Sequence, residues 1–146
     1  MKSNRAVVIS SAVAHGLAWA AFLWLVFWPS FYQGTRVTPV GPDGSGGEVV
    51  PVSASIIEGN GLGVLVPLLV PVALTAVGLL NALTGDRRNT RSKLLLWASA
   101  APLIVFCGLA MFSIGMFYLP AAVALIVSAV IMSVGATPKV IQNLSS

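Results

Sequence analysis

His15 lies deep inside an uncharged apolar run, and apart from the thiol of Cys107 it is the only ionisable side chain so placed. Histidine can relay protons or hold a metal or haem, and an ionisable group at membrane depth is a functional candidate by default. The chain has no second histidine, and none of its apolar runs contains a carboxylate. One copy therefore lacks the ligands of a conventional metal site. The expected role of His15 is a neutral polar contact, facing a neighbouring helix. Cys107, the single cysteine, has no partner for redox chemistry and reads as a small buried hydrophobe. Proton-coupled export by a small four-helix carrier needs a membrane carboxylate, and intramembrane aspartyl proteolysis needs two. Asp86 stands alone beside a loop. No Ser/His/Asp constellation and no phosphate-cradling glycine loop is present. The reading is a non-enzyme with no catalytic residue, cofactor or metal.

Two further sets of residues could make contacts. Ala12, Gly16 and Ala20 share a helix face, Gly108 and Gly115 are one heptad apart, and Ala124 and Ser128 are one turn apart. Small residues at such spacing let helix backbones approach, which matters where no hydrophobic drive operates between helices. They are candidate packing faces, within the chain or against a partner or a second copy. Arg87, Arg88, Arg91 and Lys93 hold four of the eight basic residues. At roughly 1 kcal/mol per charge near an anionic surface they are candidate lipid-headgroup contacts.

The elements that position these residues follow from composition. Of 146 residues, 57% are hydrophobic and 8% charged, against about 25% charged in a soluble domain. So few charges cannot cover a water-facing surface. The formal charge of +4 is not spread over one solvated face, so nucleic acid is not an expected partner. The pattern predicts an all-α membrane protein, a bundle of four transmembrane helices over about 6–28, 62–83, 92–117 and 119–136, in one domain covering 1–146. The first run, at about 34 Å, is too long for a signal-peptide core and long enough to span. Pro71 and Pro102 fall inside the predicted second and third helices, and Tyr118-Leu119-Pro120 reads as a tight turn with Pro120 opening the fourth.

Residues 29–61 form the only sizeable polar segment. Gly41-Pro42-Asp43-Gly44 is a turn signal, and Val50, Val52, Ala54 and Ile56 alternate with smaller or polar residues. A β-hairpin from about Gln33 to Ile57 is expected, marginal by itself and resting on helix ends or a partner. Orientation follows from the loops. Lys2, Arg5, Arg87, Arg88, Arg91, Lys93 and Lys139 fall on one side and Arg36 on the other. That places both ends of the sequence and the basic loop 84–93 in the cytoplasm, and loop 29–61 outside a cell membrane crossed several times.

The order helix, extracellular β-rich loop, helix, basic loop, helix, tight turn, helix resembles the claudin-type tetraspan plan along the whole chain. The paired extracellular cysteines and tryptophan motif of claudins have no counterpart between Phe31 and Gly61, so the resemblance implies topology and no function. The functional expectation is an accessory or structural subunit acting through protein or lipid contacts. Its partners would be the lipid bilayer and a membrane protein or further copies of itself. The alternative is a small oligomeric transporter or channel for a neutral or lipid-like solute.

Overall fold

The computed structural model of the chain describes residues 2–30, 32–37, 47, 49–86 and 89–134. Helix α1 (Lys2–Phe27) is followed by strands β1 (Tyr32–Val37) and β2 (Val49–Ala54), then the short α2 (Ile56–Asn60). A 3₁₀ turn (Leu62–Val64) leads into α3 (Leu65–Thr84). After the basic loop come α4 (Thr90–Leu109), a π-type turn (Met111–Gly115) and α5 (Met116–Val134). Among the described residues, four segments are long and apolar enough to cross a membrane: Arg5–Phe27, Leu62–Thr84, Thr90–Leu109 and Met111–Val134.

Each long helix buries one narrow stripe. On α1 it is Val7, Ser11, Ala14, Ala18 and Leu25; on α3, Leu68, Val72, Thr75, Gly78 and Asn81. On α4 it is Ser92, Leu96, Ala100, Leu103 and Cys107; on α5, Tyr118, Ala121, Leu125, Ser128 and Met132. Steps of three and four residues keep such a stripe on one side of a 3.6-residue helix. The helices form a square in which α1 touches α3 and α5, and α4 touches α3 and α5. The first and last helices are thus neighbours. The outer faces remain apolar, with Ile9, Leu80, Val105, Val123 and Val134 all exposed.

The hairpin forms with Tyr32 opposite Ala54, Thr35 opposite Pro51 and Val37 opposite Val49. The turn expected at Gly41–Gly44 lies outside the described residues. Strand β2 ends at Ala54, short of the expected Ile57, because Ser55 starts a helix. Its hydroxyl accepts the Glu58 amide at 3.3 Å, while the Glu58 carboxylate accepts the Ser55 amide at 2.7 Å. This reciprocal capping box was readable in Ser55-Ile56-Ile57-Glu58. Gly61, at φ +72°, ends α2 in a conformation that favours glycine. Buried Ile56 pins the hairpin's base to the bundle.

The largest correction concerns the third and fourth predicted helices. The chain reverses at Ala110–Gly115, not at Tyr118–Pro120, so α4 stops at Leu109 rather than Phe117 and Pro120 lies inside α5. The Gly115 amide reaches back to the Ala110 carbonyl at 2.7 Å, and the Ser113 amide meets the same oxygen at 2.9 Å. A side chain at 115 would meet the Cys107 carbonyl oxygen at 2.5 Å and the Ala110 carbonyl carbon at 2.7 Å. Both are backbone atoms that cannot step aside. The turn falls where glycine lets two backbone segments meet.

Candidate functional site

His15 is half-buried on the α3 side of α1. Its Nδ1 lies 3.1 Å from Thr75 Oγ1 on α3, and its Nε2 accepts the indole N–H of Trp19 at 3.1 Å, one turn along α1. An indole nitrogen only donates, so Nε2 must carry a lone pair and Nδ1 the proton. Nδ1–H then donates to Thr75 Oγ1. The threonine hydroxyl in turn shares its single proton between the carbonyls of Pro71 and Val72, each at 2.9 Å. The proton positions follow from donor chemistry along the chain. Trp19 also meets Phe22 edge to face, with centroids 5.6 Å apart. Residues four apart on a helix are neighbours, so the His15–Trp19 pairing had a signal in the sequence. Thr75 had none. Nitrogen-15 NMR of labelled protein should show His15 protonated at Nδ1 and bare at Nε2. Thr75→Val should weaken the α1–α3 contact by about 0.6 kcal/mol, the average for a hydrogen bond between membrane helices, measured as a thermal shift in detergent.

A second polar seam joins α1 to α5. Ser10 Oγ and Ser128 Oγ are 2.6 Å apart, so one hydroxyl donates to the other, and the accepting one can donate to the carbonyl one turn back, of Ala6 or Ala124. Beside them, the buried Ser11 hydroxyl has no hydrogen-bond partner among the described residues. Between α3 and α4, Asn81 Nδ2 donates to the Ser92 carbonyl at 2.6 Å, tying the two helix ends that flank the basic loop. Tyr118, fully buried, donates to the Leu68 carbonyl at 2.9 Å. Cys107 is buried nearby, on α4. Among the described residues no three His, Cys, Asp or Glu side chains cluster as metal ligands.

The small-residue positions separate into two groups. Ser128 is buried, Ala124 half-buried, and Gly115 serves the turn. Ala12, Gly16 and Ala20 face outward, with open space around Gly16, and Gly108 is likewise exposed to open space. The outward α1 stripe runs into a groove lined by Ala20, Leu23, Trp24, Phe27 and Trp28, where the Trp24 and Trp28 rings stack at 4.4 Å. Among the basic residues, Arg91 is exposed and Lys93 half-buried near the start of α4, which Asn89 caps. Arg87, Arg88 and Lys139 lie outside the described residues.

The hairpin is open along its described β1 residues, while on β2 Val52 and Ala54 are half-buried. Val37 is 60% exposed and Val49 57%, and the described β1 side chains are all exposed. At its base, the Ser55 amide and hydroxyl hold the Glu58 carboxyl below its ordinary value of 4.5. A lowered folded value means the capping box contributes fully above the ordinary value and is lost as pH falls through the lowered one. The Ser55 amide proton shift should therefore titrate with a midpoint below 4.5.

Comparison with protein-family models, curated proteins and solved structures finds no match to this chain. Its class is accordingly the one the fold itself defines, a chain with four helices long and apolar enough to span a membrane and a small antiparallel hairpin.

Proposed function

We propose that the four helices cross a cell membrane and that the protein is a non-catalytic accessory or structural subunit. In this reading it presents the hairpin outside the cell, with the basic loop and both ends of the sequence in the cytoplasm. Exposed apolar side chains cover the outer helix faces and the α4–α5 turn, where Leu109, Met111 and Phe112 stand free. Such a surface suits lipid and not water. Seven of the eight positive residues, all but Arg36, fall in the sequence toward one set of helix ends, which supports the orientation.

The observation that carries the partner role is the hairpin. A two-stranded sheet is marginal alone, and this one leaves valines exposed on both strands while only its base, through Ile56, is packed on the bundle. The outward stripe Ala12, Gly16 and Ala20 supplies a second surface for a membrane helix or another copy. The test is photo-crosslinking in native membranes, with the reactive group at Val49 or at Gly16. Adducts of defined mass from Val49 support the role; monomer alone from both positions sinks it. A second reading, a small oligomeric carrier for a neutral or lipid-like solute, draws on the half-exposed His15–Trp19 pair near mid-helix. It requires reconstituted protein to move a solute at a rate that changes with His15→Ala.

A further inference from the structure

Arg91, Leu94, Leu95 and Ala98 line an open groove of about 390 Å³ on the outer side of α4. They fall at positions i, i+3, i+4 and i+7, so they form one line along the helix. Leu94 is 62% exposed and Leu95 50%, while Ser92, Leu96, Ala100 and Leu103 turn inward to the bundle. The line is chemically graded. It begins with a guanidinium at the loop end and continues as hydrocarbon from Leu94 to Ala98, the whole line covering about 10 Å of helix.

We propose that this groove seats one anionic phospholipid, with its phosphate on Arg91 and one acyl chain along Leu94, Leu95 and Ala98. The inference rests on the reading that α4 spans a bilayer. Charge selects the occupant. The segment from Asp86 to Lys93 carries Arg87, Arg88, Arg91 and Lys93 against one acid. A zwitterionic lipid would bring its own ammonium to a site already cationic, and a partner helix would need an acidic end at this depth. Guanidinium forks match phosphate geometry, so Arg91 suits a phosphate better than a neutral headgroup.

The test uses the full chain in mild detergent, titrated by native mass spectrometry with phosphatidylglycerol and with phosphatidylcholine of the same acyl chains. Phosphatidylglycerol should bind more tightly, by about fivefold for each cation engaged, since about 1 kcal/mol per charge converts to that ratio. Arg91→Gln should remove about that factor for phosphatidylglycerol and weaken phosphatidylcholine less, because the choline ammonium already offsets the attraction of its phosphate. Ala98→Leu, which fills the hydrocarbon end from an exposed position, should weaken both. Equal binding of the two lipids overturns the proposal, as does an Arg91→Gln protein with unaltered preference. A crosslinked protein seated at Ala98 in native membranes would also overturn it, by putting a partner helix in the groove. Alkaline extraction of membranes separates this failure from that of the spanning reading. Protein that stays in the membrane but shows no lipid preference sinks only the lipid site, whereas protein that washes off sinks the spanning reading itself.

Discussion

Gly115→Ala is expected to destabilise the bundle by about 2 kcal/mol or more, while Gly16→Ala and Gly108→Ala shift it by less than about 0.5 kcal/mol. The difference lies in what a new methyl group meets. At Gly16 and Gly108 there is open space within 4 Å. At Gly115 the methyl would lie 2.5 Å from the Cys107 carbonyl oxygen and 2.7 Å from the Ala110 carbonyl carbon. Relief would require moving the backbone, which breaks the Gly115 amide's bond to Ala110 and pulls the start of α5 away from α4. Thermal denaturation in mild detergent, followed by the monodisperse fraction on size exclusion, measures it. Equal midpoints for the three variants would show that the chain does not reverse at Ala110–Gly115.

Tyr118→Ala should cost about 3 kcal/mol, and Tyr118→Phe about 1 kcal/mol. Tyr118 is the largest fully buried side chain. Its ring meets Phe106 of α4 edge to face at 6.0 Å, and its hydroxyl donates to Leu68 of α3. One residue therefore joins three helices. On the proposed reading that the helices span a bilayer, transfer of hydrocarbon from water contributes little there, so the loss comes from dispersion contacts around an unfilled cavity. The phenylalanine variant keeps the ring and isolates the hydrogen bond. A Tyr118→Phe protein as unstable as Tyr118→Ala would place the whole effect in the hydroxyl. One as stable as the native chain would mean that the Leu68 carbonyl needs no partner.

The four apolar segments and the hairpin were legible in the sequence because run length and alternation are local properties. Pairing partners were less so. His15 announced itself, and Trp19 four residues on was within reach, but Thr75 lies 60 positions away and nothing in its neighbourhood marks it. The turn misplaced at Tyr118–Pro120 shows a different limit. Pro120 is a strong local signal for a helix start, and Gly115 reads equally well as a packing glycine. What decides between them is the close approach of Gly115 to the Cys107 carbonyl, a contact that exists only once the chain has folded back. Helix α2 is the opposite case, since Ser55 and Glu58 carried the full capping-box signature inside what alternation marked as a strand. The outward stripe on α1 shares its spacing with an inward one, and spacing alone does not say which side of a helix meets the chain's own core.

The bond between Ser10 and Ser128 spans 118 positions and closes the square of helices between its first and last members. During synthesis α1 can meet α3 early, but its second neighbour emerges only at the end. On the proposed membrane-spanning reading, Ser10, Ser11 and the small residues Ala14 and Ala18 face lipid until then, a surface on which another membrane helix could settle. A chain cut short before α5 would keep that surface open for good.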